Sequence, residues 1–417
     1  MKVFKFGGVS VKSAGSVKNL YKIISKENGN LIIVISAMDK TTNLLEKICA
    51  AYFAGTNNFS ELIGVLENNH LKILHGLFPD KENQIYSRFN NLITGLKNYT
   101  KKKPSPDFDF EYDQIVSVGE LISTSIVSAY FDDIGIDNKW LDIRTCIKTD
   151  NEFRSAKVNW ELSSKLINTK IDFNKSRLFI TQGFIGSTNN NTTTTLGREG
   201  SDFTAAILTY VLNANEIIIW KDVAGIFNAD PHKYKNVEKL DKISFHEAIE
   251  LAYFGAKIIH PKTIKPLQNK NIPLKVKSFE NPEADGTLIY NFDEEVFLPP
   301  VYIIKEKQVL ISVSPKDFSF IAEENLSNIF AIFAKLHVKV NLSEFSAISF
   351  SACVDYDERK FPALILELKD NFKVLYNTGV SLITIRHYNN KAIDELTHLK
   401  NIFVEQKNRL TARFVVS

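Results

Sequence analysis

"KVFKFGGVSVKSAGSVKNLYKIISKENGNLIIVIS" occupies residues 2 to 36 and decides the fold. Residues 2 to 6 read as a strand that Gly7-Gly8 ends, and the apolar spacing that follows predicts a helix from about Ala14 to Lys26. "LIIVIS" at 31 to 36 is a short continuous apolar run, as expected of a strand buried on both faces. Strand, glycine turn, helix and strand make a βαβ start. The same alternation returns later, with a strand at 178 to 186, a helix at 202 to 213 and strands at 216 to 223 and 272 to 279. "ISFHEAIELAYF" opens with Ser244 and Glu247 at capping-box spacing, and Pro261 stands where a first helical turn accepts proline. The pattern predicts a mostly parallel sheet covered on both faces. Between its parts, residues 43 to 100 read as mostly helical and "NYTKKKPSPDFDFEYD" at 98 to 113 as a charged, proline-bearing loop.

The texture changes near Pro299-Pro300. "QVLISVSP" reads as a strand, and "ENLSNIFAIFAKL" carries Leu326, Ile329, Phe330, Phe333 and Leu336 on one helical face. "VKVNL" and "AISFSACVD" are strands, followed by a helix around 362 to 369, strands "FKVLY" and "SLITIR", a short helix near 391 to 397 and the closing strand "RLTARFVVS". Two βαββ-like units therefore follow one another, as paired small α+β modules, in tandem or interleaved. The expected domains are 1–295 and 300–417, with modules at about 305–370 and 371–417.

The length of 417 residues suggests two or three domains, and 44% hydrophobic content is enough for sizeable cores. A net charge of +3, scattered among both signs, argues against nucleic acid as a partner. Cys49, Cys146 and Cys353 are too few and too far apart for a disulfide framework or a zinc site, so no protein-held metal is expected and a reducing cytoplasm is. The N-terminus enters a strand pattern at once, without the apolar core of a signal peptide. The absence of a run of about 18 apolar residues predicts that no segment spans a membrane.

Two stretches carry candidate chemistry. "TTTTLGREGSDFTAAILTYVL" at 192 to 212 places Gly-Arg-Glu-Gly-Ser-Asp at the mouth of a helix. The glycines could simply end a loop that Ser201 or Asp202 caps, or the helix mouth could hold an anion with Arg198 beside it. In "KFGGVS", Gly7 and Gly8 allow backbone amides close to a phosphate, and Lys5 supplies a point charge; an ordinary turn after a strand has the same composition. Neither a Walker A motif nor a protein-kinase motif set occurs.

"KFGGVSV", "SVGELIST" at 117 to 124, "TQGFIGS" at 181 to 187, "TTTLGREGSD" at 193 to 202, "WKDVAGIFNADP" at 220 to 231 and "FGAKIIHP" at 254 to 261 occur in this order. Together they resemble the aspartokinases of the amino-acid kinase fold over about residues 1 to 290. Residues 300 to 417 resemble the ACT modules, of βαββαβ ferredoxin-like form, that such enzymes carry. The resemblance implies a three-layer α/β kinase domain and transfer of the γ-phosphate of ATP, with Mg²⁺, to the β-carboxylate of L-aspartate. That is the first step toward lysine, threonine and methionine. It implies that Lys5, Gly7, Gly8 and Ser36 meet the nucleotide phosphates, and that Lys221, Asp222, Phe227, His232 and Lys257 embrace the nucleotide. Thr42, Glu120, Phe184, Arg198 and Ser201 are implied at the aspartate, with Lys5, Lys257 and Asp202 at the transfer itself. Arg198 would grip the α-carboxylate and Glu120 face the ammonium, although a carboxylate at a helix N-terminus is also favoured by the dipole alone. Lys257 also reads as a solvated helix lysine, and His260 as structural. Asn341 and Ser346 match positions that line an effector pocket, and equally read as a strand-end turn and a solvated hydroxyl. The ACT pair implies a homodimer.

Three positions depart from the pattern. Val9 stands where threonine is common, Glu199 where glycine is usual, and His232 where an arginine is usual. A carboxylate at Glu199 would repel an anionic substrate if it pointed inward. Two other functions stay in play, the second of them motivated by these departures. One is another kinase of this fold, acting on acetylglutamate, glutamate or a nucleotide. The other is a catalytically weakened amino-acid sensor. The chain ends after the second ACT-like unit, so no fused homoserine dehydrogenase is expected, and inhibition by lysine or threonine stays open.

Overall fold

The computed structural model describes residues 1 to 417 except 57, 232, 257, 258 and 318. The chain forms two compact units. The first comprises 1–226, 239–249 and 258–296, and the second 227–238, 250–257 and 297–417. Two short segments thus cross the boundary that the sequence placed between 295 and 300.

The first unit is built on β1 (Lys2–Phe6), β2 (Leu31–Ile35), β3 (Lys139–Leu141), β4 (Leu178–Gln182), β5 (Ile185–Ser187), β6 (Thr193–Thr195) and β7 (Glu216–Lys221). Short strands β8 (Ile226–Phe227), β9 (Lys239–Leu240) and β10 (Lys242–Ser244) precede β11 (Leu274–Ser278) and β12 (Thr287–Tyr290). The central sheet has the order β10-β12-β11-β7-β1-β2-β4-β3. All its neighbours are parallel except β11 and β12. Its inner strands are the continuous apolar runs, because both pleat faces are covered. Phe4, Phe6, Ile33, Ile35, Ile180, Ile218 and Trp220 join one core with the helices that precede β3. Val3, Ile32, Val34, Ile217 and Ile219 alternate with them and are as deeply buried.

Those helices are α1 (Ala14–Ile24), α2 (Thr41–Phe53), α3 (Phe59–Leu77), α4 (Gln84–Tyr99), α5 (Phe108–Val116) and α6 (Val118–Asp133). Ser13 caps α1, its hydroxyl accepting from Ser16 N–H at 3.1 Å, and Val17, Leu20, Ile23 and Ile24 form the buried stripe. The charged stretch 98–113 is not one loop. Asp107 caps a helix there, accepting from Asp109 and Phe110 N–H, so its last six residues are the start of α5. By length and composition alone, Phe108–Asp133 is a stretch that could cross a bilayer. In the fold 83% of an 18-residue apolar stretch within it is buried, and Ile115, Val116, Ile122, Ile126, Val127 and Phe131 belong to the core. The unit is completed by α7 (Trp160–Lys170), α8 (Gly200–Val211), the start of α9 (Phe245–Phe254) and α10 (Pro261–Asn269). The hydroxyl of Ser244 accepts from Glu247 N–H, half of the expected capping box.

The second unit carries β13 (Val301–Pro315), α11 (Glu323–Lys335), β14 (Val340–Phe345), β15 (Phe350–Asp355), α12 (Lys360–Asn371), β16 (Phe372–Arg386), α13 (Asn390–Thr397), β17 (Ile402–Lys407) and β18 (Thr411–Val416). Its sheet is antiparallel in the order β14-β15-β13-β16-β18-β17. The two strands expected at "FKVLY" and "SLITIR" are one, β16, which pairs with β13 from end to end around a bulge near Lys305 to Gln308. One half of each long strand joins β14 and β15 under α11 and α12; the other half joins β18 and β17 with α13. The two modules therefore interleave through shared strands.

Candidate active site

The carboxyl ends of β1, β2, β4 and β7 are aligned, with Phe6 beside Ile35 and Trp220, and Ile35 beside Gln182. Ligands of open α/β sheets sit beyond such ends. Lys5, next to last in β1, reaches Asp202 in the first turn of α8, with Nζ to Oδ1 at 2.6 Å and both side chains largely buried. Gly7 and Gly8 follow. A Cβ on Gly8 would lie 2.6 Å from Ala37 O and 2.8 Å from Asp39 O, so only glycine lets this turn lie against the loop after β2. That loop begins at Ser36, whose N–H donates to Phe6 O at 3.1 Å and whose carbonyl accepts from Ser123 Oγ at 2.6 Å.

Glu120 lies under the same loop. It is the third residue of α6 and is 2% exposed. Its Oε1 accepts from Ala37 N–H at 3.4 Å, and among the described residues its Oε2 has no partner. Burial pushes its carboxyl up to about 8, against the opposing pull of backbone hydrogen bonds. Thr42 is half-buried in the first turn of α2.

The wall opposite is a close contact between two turns. Gly183 and Phe184 follow β4, with Phe184 at φ 71° and its N–H donating to Thr204 Oγ1 at 3.0 Å. A Cβ on Gly200 would stand 2.7 Å from the Phe184 ring, and one on Gly183 2.3 Å from Ser201. The loop from β6 to α8 carries Arg198, which is exposed and makes no ion pair among the described residues. Glu199 does not swing free: its Oε2 accepts from His260 N–H at 2.7 Å. His260 in turn caps α10, its Nδ1 accepting from Lys262 N–H at 3.2 Å.

Lys5, Gly7, Gly8, Ser36, Glu120, Phe184, Ser201 and Asp202 are thus joined by contacts. Lys221 ends β7, and Asp222, exposed beyond it, shares a cleft of about 280 Å³ with Val9, Ser10 and Lys12. Phe227 belongs to the second unit, and His232 and Lys257 lie outside the described residues. Within the second unit, Asn341 is buried and its amide is engaged, accepting from Lys305 Nζ at 2.9 Å and donating to Gln308 and Asp355. Ser346 is exposed and pairs with Ser349. The structure draws neither toward the other.

Three supports were not readable in the sequence. Ser123 and Thr204 sit mid-helix and hold Ser36 and Phe184. Asp113, wholly buried, accepts from Arg154 N–H and from both Thr195 N–H and Thr195 Oγ1, and so anchors the strand that leads to Arg198.

The sequence model of the amino acid kinase family matches residues 1 to 278. The chain belongs to the amino acid kinase family. Among curated members it is 31% identical over 393 residues to the lysine-sensitive aspartokinase 3 of Escherichia coli, covering 92% of this chain and 86% of that one. It is 30% identical to a bifunctional aspartokinase/homoserine dehydrogenase of Arabidopsis thaliana, of whose length it spans 42%. Among solved structures, this kinase superposes on E. coli aspartokinase III in complex with aspartate and ADP (R-state) with a TM-score of 0.86. Identity there is 28%, with 100% of this chain and 96% of that chain covered. The TM-score to that protein in complex with lysine and aspartate (T-state), at the same identity and coverage, is 0.82.

Proposed function

We propose that this amino acid kinase is an aspartate kinase, which transfers the γ-phosphoryl group of ATP to the β-carboxylate of L-aspartate to give 4-phospho-L-aspartate and ADP. The observation that carries the reading is the pairing of two opposite features around one loop. A lysine locked onto Asp202 stands at the glycine turn, and a buried carboxylate with a spare oxygen stands beneath Ala37. The first suits a phosphate and the second an ammonium. The likeness to a structure holding aspartate and ADP supports the same assignment.

An oxygen of the substrate carboxylate attacks the γ-phosphorus, and the bond from that phosphorus to the bridging oxygen breaks, with ADP leaving on its electron pair. A carboxylate of pKa about 3.9 is already ionised at neutral pH, so no general base is needed. Positioning and charge neutralisation supply the catalysis. Lys5 is 3.7 Å from the point where a Cβ on Gly7 would stand, so the glycine leaves room for a phosphate at the ammonium. Gly8 and Ser36 complete that cradle, and Mg²⁺ enters with ATP, held by phosphate oxygens and water. Lys257 is the second cation for the transferring group, with Lys221, Asp222, Phe227 and His232 around the nucleotide. Glu120 receives the substrate ammonium, Arg198 the α-carboxylate by a bidentate fork, and Thr42, Phe184 and Ser201 shape the wall.

The reading extends to an amino-acid effector at the second unit, in the neighbourhood of Asn341 and Ser346, and to a homodimer formed through residues 301–417 in the cytoplasm. The lysine complex of E. coli aspartokinase III supports the effector. Exposed Phe345, Leu366 and Leu375 support the self-association.

The deciding experiment is ATP turnover with Mg²⁺ and L-aspartate, with hydroxylamine present to trap the acyl phosphate. Aspartyl hydroxamate that depends on both substrates is the expected product. A folded protein that binds Mg-ATP and makes none refutes the assignment, and N-acetylglutamate and glutamate in the same assay identify the rival reaction. Sedimentation of the same sample, with and without lysine or threonine, tests the dimer and the effector.

A further inference from the structure

Phe184 stands at φ 71°, a backbone conformation unfavourable for a bulky side chain. Across it, the N–H of Ile185 donates to Gly183 O at 2.8 Å. A bond from residue i+2 back to residue i, about a centre of positive φ, is a γ-turn of the rare and strained hand. Strain of this kind persists where surrounding contacts hold it, and it clusters at functional sites. Three contacts hold it here. Gly183 N–H donates to Ile35 O at 3.1 Å, tying the turn to the end of β2. Phe184 O accepts from Leu196 N–H at 2.8 Å, tying it to the loop that carries Arg198. Phe184 N–H donates to a side chain, Thr204 Oγ1, at 3.0 Å. Thr204 is wholly buried in α8, and its hydroxyl donates in turn to Gly200 O at 3.0 Å, which fixes the direction of the lone pair that Phe184 meets. The mouth of α8 rests on the same turn: a Cβ on Gly200 would stand 2.7 Å from the Phe184 ring and 3.0 Å from its Cα. That mouth bears Ser201 and Asp202, adjoins Arg198, and is joined to the phosphate side through the Lys5–Asp202 pair.

We propose that Thr204 is a positioning residue that locks the Phe184 turn against the mouth of α8, so fixing the depth of the amino-acid site and its preference for aspartate over glutamate. Thr204 itself touches no substrate in this scheme, which rests on the roles proposed above for Phe184, Arg198 and Ser201. Glutamate carries the same two carboxylates and the same ammonium, one methylene further apart. A site that grips the α-carboxylate at one end and presents the other carboxylate to a phosphate tells them apart only by its span. A turn free to relax would let that span stretch. A strained turn held by the Thr204 hydroxyl keeps it short.

The test measures hydroxamate formation on the full-length protein and on Thr204→Ser, Thr204→Val and Thr204→Ala, giving kcat and KM for aspartate and the Ki of L-glutamate against it. Serine keeps the hydroxyl, and valine keeps the shape without it. In Thr204→Val the ratio of glutamate Ki to aspartate KM falls about tenfold, the lower end of what one methylene is worth in discrimination. The fall comes mainly from a raised aspartate KM, the mark of lost binding and not of lost chemistry. Thr204→Ser keeps the parent's ratio. Thr204→Ala removes the same hydroxyl with a smaller, helix-favouring side chain and gives the same fall, so it decides the matter if the valine variant does not fold. A folded Thr204→Val or Thr204→Ala with the parent's ratio overturns the proposal, even if its melting midpoint drops. So does a Thr204→Ser whose ratio falls as far as that of Thr204→Val. A parent that forms no aspartyl hydroxamate fails the reaction assignment instead, and the role of Thr204 falls with it.

Discussion

Glu120 and Lys5 stand in opposite circumstances, one without a partner for Oε2 among the described residues and one paired with Asp202, and each gives a measurable result. Lys5 is paired, and removing it as Lys5→Ala leaves Asp202 without its cation. Turnover falls by roughly 10²–10³-fold, the scale for losing one preorganised contact to developing charge. Circular dichroism and single-turnover rates check that the loss is chemical and not structural. Glu120 is unpaired, and its carboxyl, at about 8 in the folded protein, lies above the ordinary 4.5. The folded state therefore keeps a proton that the unfolded chain releases. Stability is full below about 4.5 and declines as pH rises through about 8. Substrate binding runs the other way, because the ammonium needs the carboxylate. The aspartate KM falls by up to about tenfold per pH unit between 6 and 8 and levels above that. Glu120→Gln removes the slope, raises KM, and raises the melting midpoint at pH values above about 4.5, because the folded glutamate must hold a proton that the unfolded chain releases or, above about 8, carry a buried charge without a partner. A KM profile in Glu120→Gln that still bends near 8 assigns the titration elsewhere. These side chains were the legible part of the site: a lysine before a double glycine, an arginine between glycines and a glutamate opening a helix are recognisable in order. Their supports were not, because serine and threonine inside a helix leave no periodic trace.

At the level of elements, the reach of α5 decides how firmly the Arg198 loop is held. The stretch from 98 to 113 is charged and carries two prolines, which is why composition favoured a loop. Capping by Asp107 overrides that composition and turns Asp113 inward, to the site of three donors from Arg154 and Thr195. Asp113→Ala would leave those donors buried without acceptors, at a cost of about 3 kcal/mol. Urea unfolding should report that loss at unchanged m-value, together with a raised KM for aspartate. A loss under about 0.5 kcal/mol, the range of ordinary surface substitutions, would mean water replaces the carboxylate. Strands whose two faces are both covered were readable from their unbroken apolar runs. The single 15-residue β16 was not. Its middle, "YNTGV", is polar and contains glycine, which is turn chemistry unless a partner strand of equal length supplies the hydrogen bonds, as β13 does.

For the molecule as a whole, the class of each sheet followed from the rhythm of the sequence, and the strand order did not. Placing β7 beside β1 joins residues more than 200 positions apart, and no local period encodes such a pairing. The same holds for β13 and β16, which share 13 register partners across the full C-terminal sheet. Because both modules hang on that ladder, they should open together. Ile311→Ala, in the half beside α11 and α12, removes core contacts worth about 2–5 kcal/mol. Hydrogen exchange should then speed up at Leu382 to Ile385 as well as at Lys373 to Leu375. Protection that survives at 382–385 would make the halves independent.

The ladder also bears on how such a region can change over generations. A module that owns all its strands can be duplicated, deleted or traded as a cassette. Here excising either half would leave the other with two strands cut at mid-length and an open backbone edge. Only the loops and helix faces of this region can change without cutting into the shared ladder, so the pair of modules behaves as one unit of replacement.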